Sequence, residues 1–163
     1  MKTITVAQVL NQELWNAKGE CPDLAEYNIY VLRDKKFVLY VGQTQQHMLV
    51  RLEQHLGMSW CAPSQIADLV DGNRSASLHW CFDLMTLDDC SLIALEQLGE
   101  TLGSSINARG YEIALAERAL IAKYRPPLNA SSNARPRKLP KKYRAYEAKI
   151  WKQLQMVHRR IFK

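Results

Sequence analysis

The stretch Asn28-Ile-Tyr-Val-Leu-Arg-Asp-Lys-Lys-Phe-Val-Leu-Tyr-Val-Gly42 decides how the fold is read. Two runs of β-branched, aliphatic and aromatic residues, 28–32 and 37–42, flank the charged tetrapeptide Arg33-Asp34-Lys35-Lys36. Such runs favour extended chain, and a short polar break between them closes a β-hairpin. With the loop centred on Lys35, Tyr30 is expected directly opposite Tyr40 on one face of the hairpin. A two-residue turn shifts the register by one and breaks that pairing.

Working outward, residues 5–17 place Val6, Val9, Leu10 and Leu14 at helical spacing, closed by Gly19 and Pro22. Residues 1–26 are therefore expected to form an N-terminal helical extension. After the hairpin, Gly42-Gln43-Thr44 turns into a helix over 47–57, with Leu49, Leu52 and Leu56 on one side and Gly57 as stop. A short helix is expected over 63–70, a turn at Asp71-Gly72-Asn73, and a third strand over 78–85. Helices over 88–102 and 111–124 follow, and Pro126-Pro127 forbids continuation of the second. Residues 130–140 read as a polar linker. The stretch 141–162 reads as a basic helix with Tyr143, Tyr146, Ile150, Leu154, Val157 and Ile161 along one stripe. The class is α+β: a small antiparallel three-stranded sheet flanked by helices, its core spanning 27–130, followed by a basic linker and C-terminal helix over 131–163.

The 163 residues suit one domain, and 47% hydrophobic with 23% charged residues is a globular composition. No run resembles a signal peptide or a membrane span, so a cytoplasmic protein without a membrane partner is expected. Cys21, Cys61, Cys81 and Cys90 are scattered and form no C-x-x-C pair, which argues for buried thiols over a disulfide framework. His79 and Cys81 lack a second ligand pair for zinc. The net charge of +6 divides unevenly: residues 135–163 carry eleven bases against Glu147 alone, while 1–134 carries a net −4. A mildly acidic body with a strongly basic tail points to a polyanionic partner, nucleic acid before a membrane surface.

Two further patterns carry chemistry. His47, Arg51 and His55 are spaced i, i+4, i+8 and share one helix stripe; a guanidinium flanked by imidazoles beside two phenols suits a phosphate. Glu117 stands in the middle of the apolar stripe Ile113, Leu120, Ile121 and Tyr124. A carboxylate among core-facing positions costs several kcal/mol unless it is paired or binds a cation.

Together, Asn28-Ile29-Tyr30, Tyr40-Val41-Gly42, Arg51, Glu117 within Ala-Leu-Ala-Glu-Arg-Ala-Leu-Ile, and Asn129 resemble the GIY-YIG nucleases across roughly residues 28–130. The resemblance implies Tyr30 as general base or water-orienting group with Tyr40 beside it, and Arg51 as stabiliser of the pentavalent phosphate. It implies His55 as a further catalytic group, Glu117 as ligand of one magnesium or manganese ion, and Asn129 as the residue that fixes the active-site loop. The expected DNA-facing set is Gln43 and Asn129 near the site, with Arg135, Arg137, Lys138, Lys141, Lys142 and Arg144 in the tail. Gln43 stands where many relatives carry Lys, and Asn28 replaces the first Gly. The implied activity is hydrolysis of phosphodiester bonds in duplex or branched DNA, one site per chain, so cutting both strands requires a homodimer or two encounters. The alternative, a non-catalytic nucleic-acid-binding protein on the same fold, predicts loss of some site residues, yet Tyr30, Arg51, Glu117 and Asn129 are all present. In this reading the polar ends of Tyr30 and Arg51 face a cleft and neither residue is needed to fill the core.

Overall fold

The structure, a computed structural model, describes residues 1–16, 18–20, 23–58, 64–103, 110–129 and 133–143. Its centre is an antiparallel sheet of β1 (Lys2–Thr5), β2 (Ile29–Asp34), β3 (Phe37–Gln43) and β4 (Cys81–Met85), in the order β1-β4-β2-β3. The class is α+β as expected, but the sheet has four strands rather than three. The additional strand is β1, which pairs with β4 from Lys2 opposite Leu84 to Thr5 opposite Cys81. The N-terminal helix is correspondingly shorter than expected: α1 (Val6–Leu10) starts at the Thr5–Gln8 capping box and ends within two turns. The first 26 residues thus supply a strand and the core residues Ile4, Val6, Val9 and Leu24.

Because side chains alternate across a strand, β2 serves two apolar layers. Tyr30 and Leu32 face one cluster, built with α1, α2 (Met48–His55) and α3 (Gln65–Gly72). Ile29 and Val31 face the other, built with α5 (Leu87–Leu98) and α6 (Gly110–Tyr124). The expected turn at Asp71-Gly72-Asn73 is instead the end and cap of α3, and a short α4 (Arg74–Ser77) follows before β4. Gly99, in the left-handed conformation at φ 71°, stops α5 four residues earlier than anticipated.

The C-terminal segment departs most from expectation. Residues 133–143 are not a loose linker but a strap laid on the body. Asn133 donates to the Pro126 carbonyl, and the Arg137 N–H donates to the Arg125 carbonyl at 2.7 Å. Leu139 and Tyr143 are buried in the first apolar layer, and the Tyr143 ring meets Trp80 edge-on at 5.2 Å. The Tyr143 hydroxyl donates to Asp34 at the hairpin turn, and Lys142 pairs with the same carboxylate. The expected basic helix beyond Tyr143, Arg144 included, lies outside the described residues, as do Cys21 and Cys61. Among the described residues no helix is long and apolar enough to cross a membrane.

Candidate active site

The hairpin register differs from the expectation in an instructive way. The turn has two residues, Lys35 and Lys36, so Asp34 faces Phe37 and Arg33 faces Val38. On its own this odd register would send Tyr30 and Tyr40 to opposite faces. A β-bulge corrects it: Leu39 is an extra residue in β3, and beyond it Leu32 faces Tyr40 and Tyr30 faces Gly42. The two tyrosines return to the same face as diagonal neighbours, with ring centroids 6.1 Å apart. Leu39 joins Tyr40 on the first apolar layer, while Val38 and Val41 point to the second.

Gly42 has a steric reason. A Cβ at this position would overlap the ring and hydroxyl of Tyr30, so only glycine lets the phenol lie across its partner strand. Tyr30 is fully buried and belongs to the core, contrary to the expectation that it is not needed to fill it.

Asn129 holds the same strand from outside. Its amide accepts from the Val41 N–H at 2.9 Å and donates to the Val41 carbonyl at 2.7 Å, while Leu128 N–H donates to the Leu39 carbonyl. Tyr40 is therefore flanked on both sides by anchored backbone. With both ends of its buried amide engaged, Asn129 positions the strand; its expected place among DNA-contacting groups does not fit this geometry.

Helix α2 supplies His55 and Arg51. His47 stands at its N-cap position, half-buried, rather than within the helix. His55, at the C-terminal end, is buried, and its Nε2 lies 2.5 Å from the Tyr30 hydroxyl. Its ring centroid is 5.4 Å from both tyrosine rings. Ser64, the N-cap of α3, donates to the His55 carbonyl at 2.6 Å. A cleft of about 180 Å³ beside Tyr40 and His55 is lined by Ser64, Gln65, Ile66 and Leu128. Ser64 and Gln65 were missed from sequence because nothing local to residues 64–65 points to a histidine nine residues earlier. Arg51 is half-buried and donates to Gln54 at 3.2 Å.

Electrostatics tie these groups to Glu117 on α6, the helix that packs along β3. Burial pushes the Tyr30 hydroxyl far above the ordinary phenol range; Tyr40 and Glu117 add to the rise and Arg51 opposes it. Tyr40 is raised by burial and then by Glu117, again opposed by Arg51. Burial also raises the half-buried Glu117, against a hydrogen bond from Gln43 and the charge of Arg51. Gln43, expected to face DNA, thus turns its amide to the carboxylate. His55 is pushed down to about 4, by burial first and the Arg51 charge second, so its ring is neutral at pH 7. Five residues separated by up to 87 positions in sequence, Tyr30, Tyr40, Arg51, His55 and Glu117, thus act on one another at one place.

The His55 shift makes a prediction about stability. With a folded value near 4 against about 6.5 unfolded, the unfolded chain binds the extra proton between those limits. The stability gained by keeping His55 neutral is complete above about pH 6.5 and is lost as pH falls toward 4. Between pH 7.5 and pH 5 the loss is about 2 kcal/mol. Urea unfolding across this range is expected to show that slope in the native chain and a flatter one in His55→Asn; identical slopes would contradict it.

The remaining expected residues divide. Arg135, Arg137, Lys138 and Lys141 are exposed on the strap. Lys142 is engaged by Asp34 and lies 4.7 Å from the Tyr143 ring centroid, which removes it from the free cations. No group of three or more His, Cys, Asp or Glu side chains suited to a metal ion occurs among the described residues. Cys90 is buried with its thiol pushed up to about 12 by burial and by Asp89, an inert environment. Comparison of the chain with family models, curated proteins and solved structures gave no match.

Proposed function

We propose that this chain is a metal-dependent DNA endonuclease of the GIY-YIG type, acting in the cytoplasm. The single observation that carries the reading is the convergence of two phenols, a neutral imidazole, a guanidinium and a carboxylate from four separate elements. Burial raises Tyr30, Tyr40 and Glu117 and lowers His55, and the Arg51 charge opposes the rise in all three acids.

The side chains suit hydrolysis of an anionic ester. Arg51 offers a planar fork to phosphate oxygens and opposes the charge that builds on them in the transition state. Tyr30 is too weak an acid to serve as a free phenolate at neutral pH. With the neutral His55 ring protonated on Nδ1, the Tyr30 proton instead lies on the hydrogen bond to His55 Nε2. An attacking water in the cleft can give its proton to the half-buried Tyr40 hydroxyl, which is hydrogen-bonded to buried Tyr30. Tyr40 passes its own proton to Tyr30 and Tyr30 its own to His55, so none of the three has to be ionised beforehand. Arrival of an anionic phosphate offsets the Arg51 charge and raises the basicity of His55 at that moment.

A lone carboxylate fits magnesium or manganese, which retain water and take further oxygens from a bound phosphate. Glu117 would hold such an ion, supplying Lewis acidity at the leaving oxygen. Gln43 steadies the Glu117 carboxylate in place of the lysine many relatives carry. The test is incubation of the purified chain with supercoiled plasmid, linear duplex and branched DNA. Nicking that requires magnesium or manganese is the expected result; no cleavage of any substrate with either ion would sink the reading.

A further inference from the structure

We propose that the hairpin turn and the C-terminal strap form one rigid basic ridge that grips the phosphate backbone of duplex DNA away from the cutting site. Lys35 and Lys36 are exposed at the turn, and Arg135, Arg137, Lys138 and Lys141 are exposed along the strap. Asp34 joins the two. Its carboxylate accepts from the Tyr143 hydroxyl and from Lys142, which brings the strap's far end against the turn. Burial pushes the Asp34 carboxyl up, but Lys142, Tyr143 and the charge of Lys35 outweigh it and hold it below its ordinary value. Lys142 is thus paired with Asp34, and the other strap cations, Arg135, Arg137, Lys138 and Lys141, have no acid among residues 133–143 to offset them.

A second observation concerns the backbone. Lys35 sits at φ 50°, a conformation in which glycine or asparagine is the usual occupant. Gln12 and Arg125 share this conformation, and a lysine in it costs stability that glycine would not, so Lys35→Gly separates the backbone cost from the loss of charge. The strap is equally committed: Tyr143 is locked into the core against Trp80, so its cations hold set positions relative to the turn. Cations at set spacing match a regularly charged polymer, and phosphate pairing of this sort fixes orientation without reading sequence.

The choice of duplex DNA rests on the nuclease reading, so the test measures binding without divalent metal, where cleavage plays no part. The double variant Lys35→Gly/Lys36→Ala in the full chain is titrated into a labelled 30-base-pair duplex at several salt concentrations. With two phosphate-pairing cations removed, the slope of log K against log salt is expected to fall by about 1.8, and affinity at 0.1 M salt by on the order of 10-fold or more. The single variant Lys35→Gly is expected to melt higher than the native chain while binding less tightly, a combination that a purely structural lysine does not give. Lys18→Ala, at an exposed position before β2, is the control for bulk charge. An unchanged slope in the double variant overturns the proposal, as does an equal loss in Lys18→Ala. So does a loss confined to phosphatidylserine vesicles, which would assign the ridge to a membrane surface.

Discussion

Replacing Glu117 by Gln is expected to reduce DNA cleavage by on the order of 10³-fold while leaving metal-free DNA affinity within about twofold. The substitution keeps shape and hydrogen-bonding capacity and removes only the charge that would hold a divalent ion. Stability makes the test sharper. Burial raises the Glu117 carboxyl, so the folded chain binds this proton more tightly than the unfolded chain does. Ionising Glu117 at neutral pH therefore costs stability, despite Arg51 and the Gln43 amide. Glu117→Gln should melt at or above the native temperature at pH 7.5, with the difference vanishing at acid pH where Glu117 is protonated. A carboxylate kept for an ion pair behaves oppositely: its removal lowers the melting temperature and spares the rate. Plasmid nicking against magnesium concentration, with a thermal melt on the same sample, separates the two.

The second large effect joins the hairpin to α2. Tyr30→Phe keeps the buried ring against Gly42 and removes the hydroxyl that is hydrogen-bonded to His55; Arg51→Lys keeps the charge and loses the fork. Each should lower the rate on the order of 10²-fold or more. The double variant should lose markedly less than the product of the two, because both groups act on one transition state. Their stabilities should differ. Tyr30→Phe leaves a buried imidazole nitrogen without its partner and should cost about 1–2 kcal/mol, whereas half-buried Arg51 should cost little. Strictly multiplicative losses would mean that the two residues act at separate steps, and normal cleavage by a destabilised Tyr30→Phe would make the phenol structural.

The parts legible in the sequence were those set by local pattern. Two β-branched and aromatic runs about a charged turn announced the hairpin, 3.6-residue spacing announced α2 and α6, and a carboxylate amid Ile113, Leu120 and Ile121 announced Glu117. Where the pattern was too short it failed. Lys2–Thr5 is four residues long, and the helical spacing that runs on past Leu10 concealed both the strand and the early end of α1. The bulge at Leu39 was invisible because periodicity fixes which face a residue prefers but not whether the partner strand carries an extra residue. Leu139 was read into a polar linker and Tyr143 into the apolar stripe of a basic helix, although both are buried in the first apolar layer, Tyr143 against Trp80 far off in sequence. Polar partnerships such as Asn129 with Val41 and Ser64 with His55 span backbone groups that every residue carries, so side-chain identity could not disclose them.

The amide of Asn129 also bears on how molecules of this protein meet. A margin strand with free N–H and C=O groups templates the addition of a strand from another molecule, the first step toward aggregation. On β3 the Val41 pair is occupied by Asn129 and the Leu39 carbonyl by Leu128, so an incoming strand finds no run of unmet groups there. At the opposite margin β1 offers only four residues. The contact that steadies the strand around Tyr40 thereby also defends the sheet against intermolecular strand addition, and a substitution that freed Val41 would loosen Tyr40 and open the sheet margin together.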